Sequence, residues 1–151
     1  MFTVDENLLW QIRTFIYEHF AATTQPPTVD VTAAHFQLSS EQAAVYYKEL
    51  DQRHALFLEP HTLNIRIANP FSAVPTTFRV KAQGKTYWAN CAWDALGIPA
   101  ALGCDATVET TYAEDGLPLV VEVSQGQVVS PGTIVHFLVP FHQWYEDMVN
   151  T

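Results

Sequence analysis

TFRVKAQGKTYWANCAWDALGIPAALGC, from Thr77 to Cys104, holds both kinds of structure that this chain has to combine. TFRVKAQ and TYWAN are short runs with alternating or β-prone residues around Gly84-Lys85, which predicts a hairpin turning at that pair. Asn90 then stands where an N-cap is wanted, and a short helix is expected from Cys91 to about Leu96. Downstream, Ala106 to Tyr112, Leu119 to Val123 and Thr133 to Val139 read as further strands, separated by turns at Asp115-Gly116, Gly126 and Pro131-Gly132. A last helix is expected from Phe141 to Val149. Strands joined by tight turns, with short helices between and after them, define an α+β class with a mixed, mainly antiparallel core.

Working back toward the N-terminus, the pattern changes near Pro70. Leu8, Leu9, Ile12, Phe15, Ile16 and Phe20 recur at three- and four-residue steps, the stripe of an amphipathic helix from Asp5 to about Ala22. The prolines of TTQPPT, Thr23 to Thr28, end it. A second helix is expected over Val31 to Phe36. A third follows Leu38-Ser39-Ser40-Glu41, capped by Ser39 or Ser40, with Ala43, Ala44, Tyr47 and Leu50 as its buried stripe. HALFLEP and LNIRIAN then read as a hairpin turning around His61-Thr62. Three helices and a hairpin are the order of a winged helix-turn-helix. The expected organisation is therefore a winged-helix-like region over residues 1–70 and an α+β core over residues 71–151.

Composition narrows the classes of function. The chain has 151 residues, 48% of them hydrophobic and 15% charged, which suits one ordinary domain or two small ones and excludes a disordered tail. Seven Lys and Arg against sixteen Asp and Glu leave a formal charge of -9, which repels phosphate backbones and anionic lipid. Residues 1–60 hold 3 basic and 8 acidic side chains, a net of -5, so the third helix would approach a duplex against an unfavourable field. Nucleic acid is thus not the expected partner. No apolar run reaches the ~18 residues of a membrane span, and Asp5 and Glu6 stand where a signal peptide would be positive, so a cytoplasmic protein is expected. Cys91 and Cys104, 13 residues apart, form neither a CxxC motif nor a disulfide framework, and free thiols are expected.

Chemistry concentrates at Cys91. If Asn90 caps the helix, Cys91 takes its first position, where the positive end of the dipole favours a thiolate and should lower the thiol pKa below ~8.5. Cys91 would then be the more reactive of the two cysteines. Asp94, three residues on, projects from the same helical face. Tyr87, Trp88, Trp93, Leu96 and Ile98 can surround it with apolar surface that raises the carboxyl pKa toward that of a usable proton donor. The plainer reading makes Cys91 a small buried hydrophobe and Asp94 a dipole-favoured residue of the first turn. Cys104 reads as core. His54 and His61 bracket the hairpin turn, and His136 and His142 read as satisfied polar groups, since no HExxH pairing exists.

NPFSAVPTTFRV (Asn69 to Val80) followed by YWANCAWDALGIPAALG (Tyr87 to Gly103) closely resembles the alkylmercury lyase, or organomercurial lyase, family. Its members carry a similar PFS-x-x-PT-x-F-x-V segment ahead of W-x-x-C-A-x-D, with a winged-helix-like region before both. The resemblance implies protonolytic cleavage of a carbon–mercury bond by two cysteines and one aspartate, with no organic cofactor and with mercury bound as substrate and product. The first cysteine carries over to Cys91 and the aspartate to Asp94, as catalytic and mercury-binding residues. The family's second cysteine lies downstream of the strand and aromatic helix resembled by HFLVPFHQWYEDMVNT, at about the point where this sequence stops at Thr151. Cys104 does not occupy that position. The partner implied is a small organomercurial or a thiophilic metal ion, with no membrane. Two other classes stay open: a non-catalytic binder of a soft ion such as Hg(II) or Cu(I), and a winged-helix transcriptional regulator.

Overall fold

The computed structural model describes residues 3–129, 132–137 and 139–148. The chain divides into two compact units, Met1–Ala68 and Asn69–Thr151.

The first unit holds helices α1 (Glu6–Thr23), α2 (Val29–Phe36) and α3 (Ser40–Gln52) and a short antiparallel hairpin of β1 (Phe57–Leu58) and β2 (Ile65–Ala68). Each helix starts at a side-chain cap. Asp5 accepts from the N–H of Leu8, and Thr28 from that of Val31. Ser39 and Gln42 form a reciprocal capping box at α3. From the stripe expected on α1, Leu9, Ile12, Ile16 and Phe20 are buried. On α3 the buried face is Ala43, Tyr46, Tyr47 and Leu50, so Tyr46 replaces the expected Ala44, which is only half-buried. Burying Tyr47 requires partners for its hydroxyl, and it meets Thr32 Oγ1 at 2.8 Å while donating to the Pro27 carbonyl at 3.1 Å. His61, at φ 60°, makes the hairpin turn. Arg53, at the end of α3, is engaged by Glu6 and Glu49, at 2.5 and 2.7 Å. Ser39→Ala is expected to cost about 1 kcal/mol, read as a lowered midpoint in thermal or urea unfolding, because the Gln42 N–H loses its acceptor.

The second unit is a sheet ordered β3-β5-β4-β6-β7-β8, in which every neighbouring pair is antiparallel. Its strands are β3 (Phe71–Ser72), β4 (Phe78–Ala82), β5 (Lys85–Ala89), β6 (Ala106–Thr111), β7 (Pro118–Ser124) and β8 (Gln127–Val129). Alternation sorts the residues onto two faces. Val80, Ala82, Tyr87, Ala89, Ala106, Val108, Val121 and Val123 are buried on one face, and α4 (Ala92–Leu102) packs on β4, β5 and β6. The other face carries charge, with Arg79 lying 3.4 Å from Glu109 and Lys81 pairing with the same carboxylate.

Several expectations are corrected. The β4–β5 turn is Gln83-Gly84, not Gly84-Lys85, because both turn residues adopt positive φ (51° and 73°) and glycine suits the second of them. Gln125-Gly126 repeats this geometry and returns the chain into β8, a strand the sequence reading missed. Helix α4 runs past Leu96 and through Pro99 to Leu102. Gly103, at φ 62°, then ends it, with Cys104 N–H donating to the Pro99 carbonyl at 3.2 Å. Gly97 sits in α4 where an added Cβ would stand 3.1 Å from Pro70 Cβ, so any larger residue there would have to push the loop at Pro70 back. Residues 133–137 and 139 form no strand, although they are rich in β-branched residues. Ile134 is 91% exposed and has no ladder to join, and strand propensity without a paired neighbour is weak. The last helix is a 3₁₀ segment, Phe141–Glu146. Pro131, Leu138 and Val149 of the expected turn, strand and helix lie outside the described residues.

Candidate active site

The junction of β5 and α4 carries the chemistry. Cys91 is the N-cap of α4, with extended backbone (φ -146°, ψ 179°), and Ala92 is the first helical residue. Asn90 therefore does not cap this helix. Its side-chain amide donates instead to the Met148 carbonyl at 2.6 Å. No spacing rule in the sequence points to that bond, since it joins positions 58 residues apart.

Cys91 and Asp94 come together as expected. The Cys91 thiol donates to Asp94 Oδ2 at 3.5 Å, and each residue is only 8% exposed. Asp94 is thus a buried acid in the first turn of a helix, joined to a buried thiol. Burial raises the carboxyl pKa, against the opposing pull of the Cys91 hydrogen bond.

The thiol goes the other way from the expectation. Burial first, and the negative charge of Asp94 second, push the Cys91 pKa up to about 11, although the backbone N–H groups of Asp94 and Trp93 pull it down. The helix dipole is present, but it is the weaker influence once the sulfur is out of water. The apolar surroundings are also less complete than the sequence suggested. Tyr87 and Ile98 are buried and Trp88 and Leu96 half-buried, whereas Trp93 is 66% exposed and faces solvent.

Cys104 is half-buried rather than core. It follows the C-terminal end of the 11-residue α4 while Cys91 caps the N-terminal end, so the two are about 16 Å apart at 1.5 Å per residue. They cannot share one metal ion. Among the described residues no group of three or more His, Cys, Asp or Glu side chains could hold a metal. His136 and His142 are exposed, and His54 stacks on Phe57.

These features predict how the thiols react. At neutral pH an alkylating reagent is expected to modify Cys104 before Cys91, reversing the order drawn from the helix dipole. The Cys91 rate should keep rising about tenfold per pH unit toward pH 11, as thiolate accumulates. A Cys91 rate that levels off near pH 8 would contradict this, and peptide mapping after timed alkylation reads both sites.

A one-sided antiparallel sheet bearing a helix whose N-cap is a cysteine bonded to a buried aspartate defines a thiol–carboxyl site on an α+β core. The family described as alkylmercury lyase, MerB, matches residues 71–151, which include this whole junction, and the chain belongs to that family. The fold is also similar to that of a solved protein described as the mercury-bound form of MerB2, with a TM-score of 0.65 and 23% identity. That likeness covers 85% of this chain and 61% of the other, so this chain spans less than two thirds of that protein. No curated protein matches the sequence. Among the described residues no helix is long and apolar enough to cross a membrane.

Proposed function

We propose that the Cys91–Asp94 pair cleaves the carbon–mercury bond of an organomercurial by protonolysis. The observation that carries this reading is the 3.5 Å contact between a buried thiol and a buried carboxyl group, within the segment matched by the family. Mercury is the substrate atom. Cys91 sulfur bonds to it and displaces the thiolate that carried it, and the Cys91 proton passes to Asp94. Sulfur coordination weakens the bond to carbon. The Asp94 proton then joins the electron pair of that bond, so that hydrocarbon leaves and Hg(II) stays on sulfur with no change of oxidation state. The raised Asp94 pKa suits this relay, because the carboxyl group keeps the proton that mercury displaces from the thiol and holds it close to the carbon. A high thiol pKa suits the first step, because it keeps the resting site protonated until a soft metal displaces the proton.

Phenylmercury incubated with the protein in excess thiol should give benzene on a catalytic time course. Stoichiometric mercury uptake with no benzene would overturn the lyase reading in favour of a soft-ion binder, which the single thiol at this junction also suits. The winged-helix reading of residues 1–70 remains a proposal on element order alone. The engagement of Arg53 by Glu6 and Glu49 leaves α3 poor in cations for a duplex.

A further inference from the structure

We propose that Asn90 is a positioning residue, which sets the Cys91 thiol against Asp94 by tying the peptide just before the thiol to the backbone at Met148. The inference rests on the role proposed above for Cys91, but its geometry stands apart from any turnover. Ala89, on one side of Asn90, is held by ladders to Phe71 and Phe78 and by the Thr76 hydroxyl, which donates to its carbonyl at 2.5 Å. On the other side Cys91 stands as the N-cap of α4 and makes no side-chain cap hydrogen bond. Asn90 is thus the single residue between a fixed strand and a helix whose N-cap carries the thiol. Rotation there would swing Cys91 Sγ away from its 3.5 Å contact with Asp94 Oδ2. A 2.6 Å bond from Asn90 Nδ2 to the Met148 carbonyl removes that freedom. Only a side chain that donates can do this, since a carbonyl offers nothing to an acceptor.

The test compares Asn90→Ala and the near-isosteric Asn90→Leu, which both lack the donor, with Asn90→Gln, which keeps it on a longer arm. Iodoacetamide alkylation of Cys91 and Cys104 is followed at fixed pH by peptide mapping, beside thermal unfolding. In the Ala and Leu variants the Cys91 rate should rise roughly fivefold to tenfold, the scale of one lost hydrogen bond, while Cys104 stays within about twofold. Asn90→Gln should return Cys91 toward the wild-type rate. An unchanged Cys91 rate in both donor-free variants would overturn the proposal. So would equal acceleration of both thiols with a lowered midpoint, which would mark Asn90 as a general stabiliser. Benzene release by the wild type is scored separately. Its absence would defeat the lyase reading and leave these rates standing, whereas benzene release with unmoved alkylation rates would defeat the positioning role alone.

Discussion

Asp94→Asn is expected to stop hydrocarbon release, lowering turnover by roughly 10²- to 10⁴-fold, while mercury still binds at Cys91. The carboxamide keeps the shape of the carboxyl group and can still accept from the thiol across the 3.5 Å gap, so the junction should survive. It cannot take up the thiol proton or deliver one to carbon. The same substitution should stabilise the fold. A group whose folded-state pKa is raised contributes stability that is fully present below its unfolded pKa and is lost as pH rises through the folded value. Asp94 is such a group, so its ionised form is a burden on the folded state. Removing the charge should raise the unfolding midpoint. Cys91 has the same sign at higher pH, with its contribution present below about pH 9 and lost as pH rises through about 11. Hydrocarbon assays and thermal unfolding on one preparation check both halves. An Asn variant that still turns over would end the case for Asp94 as proton carrier.

In the first unit α1 was legible from its stripe of apolar residues and α3 from its stripe and its serine cap. Helix α2, by contrast, starts two residues ahead of the expected Val31, and the caps of α1 and α2 emerge only in the structure. Asp5, Thr28 and Ser39 all bond the first turns they precede. The α+β class was legible from alternation in β4, β5, β6 and β7. Positions decided by partners far along the chain were not. Residues 133–137 and 139 have the composition of a strand without the neighbour that would make them one, and Phe71–Ser72 is a short strand that pairs with β5. The helix expected to end near Leu96 instead starts at Ala92, runs through Pro99 and stops only at the glycine Gly103. The site divides in the same way. A spacing of three residues on a helix is enough to bring Cys91 and Asp94 together. The direction of the thiol's shift depends on how much water packing leaves around the sulfur, which a helix dipole argued from sequence does not contain.

Cys91→Ser is expected to weaken retention of mercury by three orders of magnitude or more on a scale of roughly 1.4 kcal/mol per tenfold, and Cys104→Ser to leave it unchanged. The contrast follows from position as much as from chemistry. A hydroxyl is hard and stays protonated, so it neither bonds a soft metal strongly nor releases a proton to Asp94. Cys104 carries the same soft atom, but about 16 Å away at the opposite end of α4. It serves there in the helix stop, through its backbone N–H, a role that serine can fill. Equilibrium dialysis against phenylmercury with a competing small thiol separates the cases, because the competitor removes mercury from isolated surface thiols and tests only a site that offers more than one sulfur alone. Loss of retention in both variants would mean that the two thiols meet in some state other than this one. Loss in Cys104→Ser alone would move the mercury site to the far end of α4 and leave the Cys91–Asp94 pair as packing.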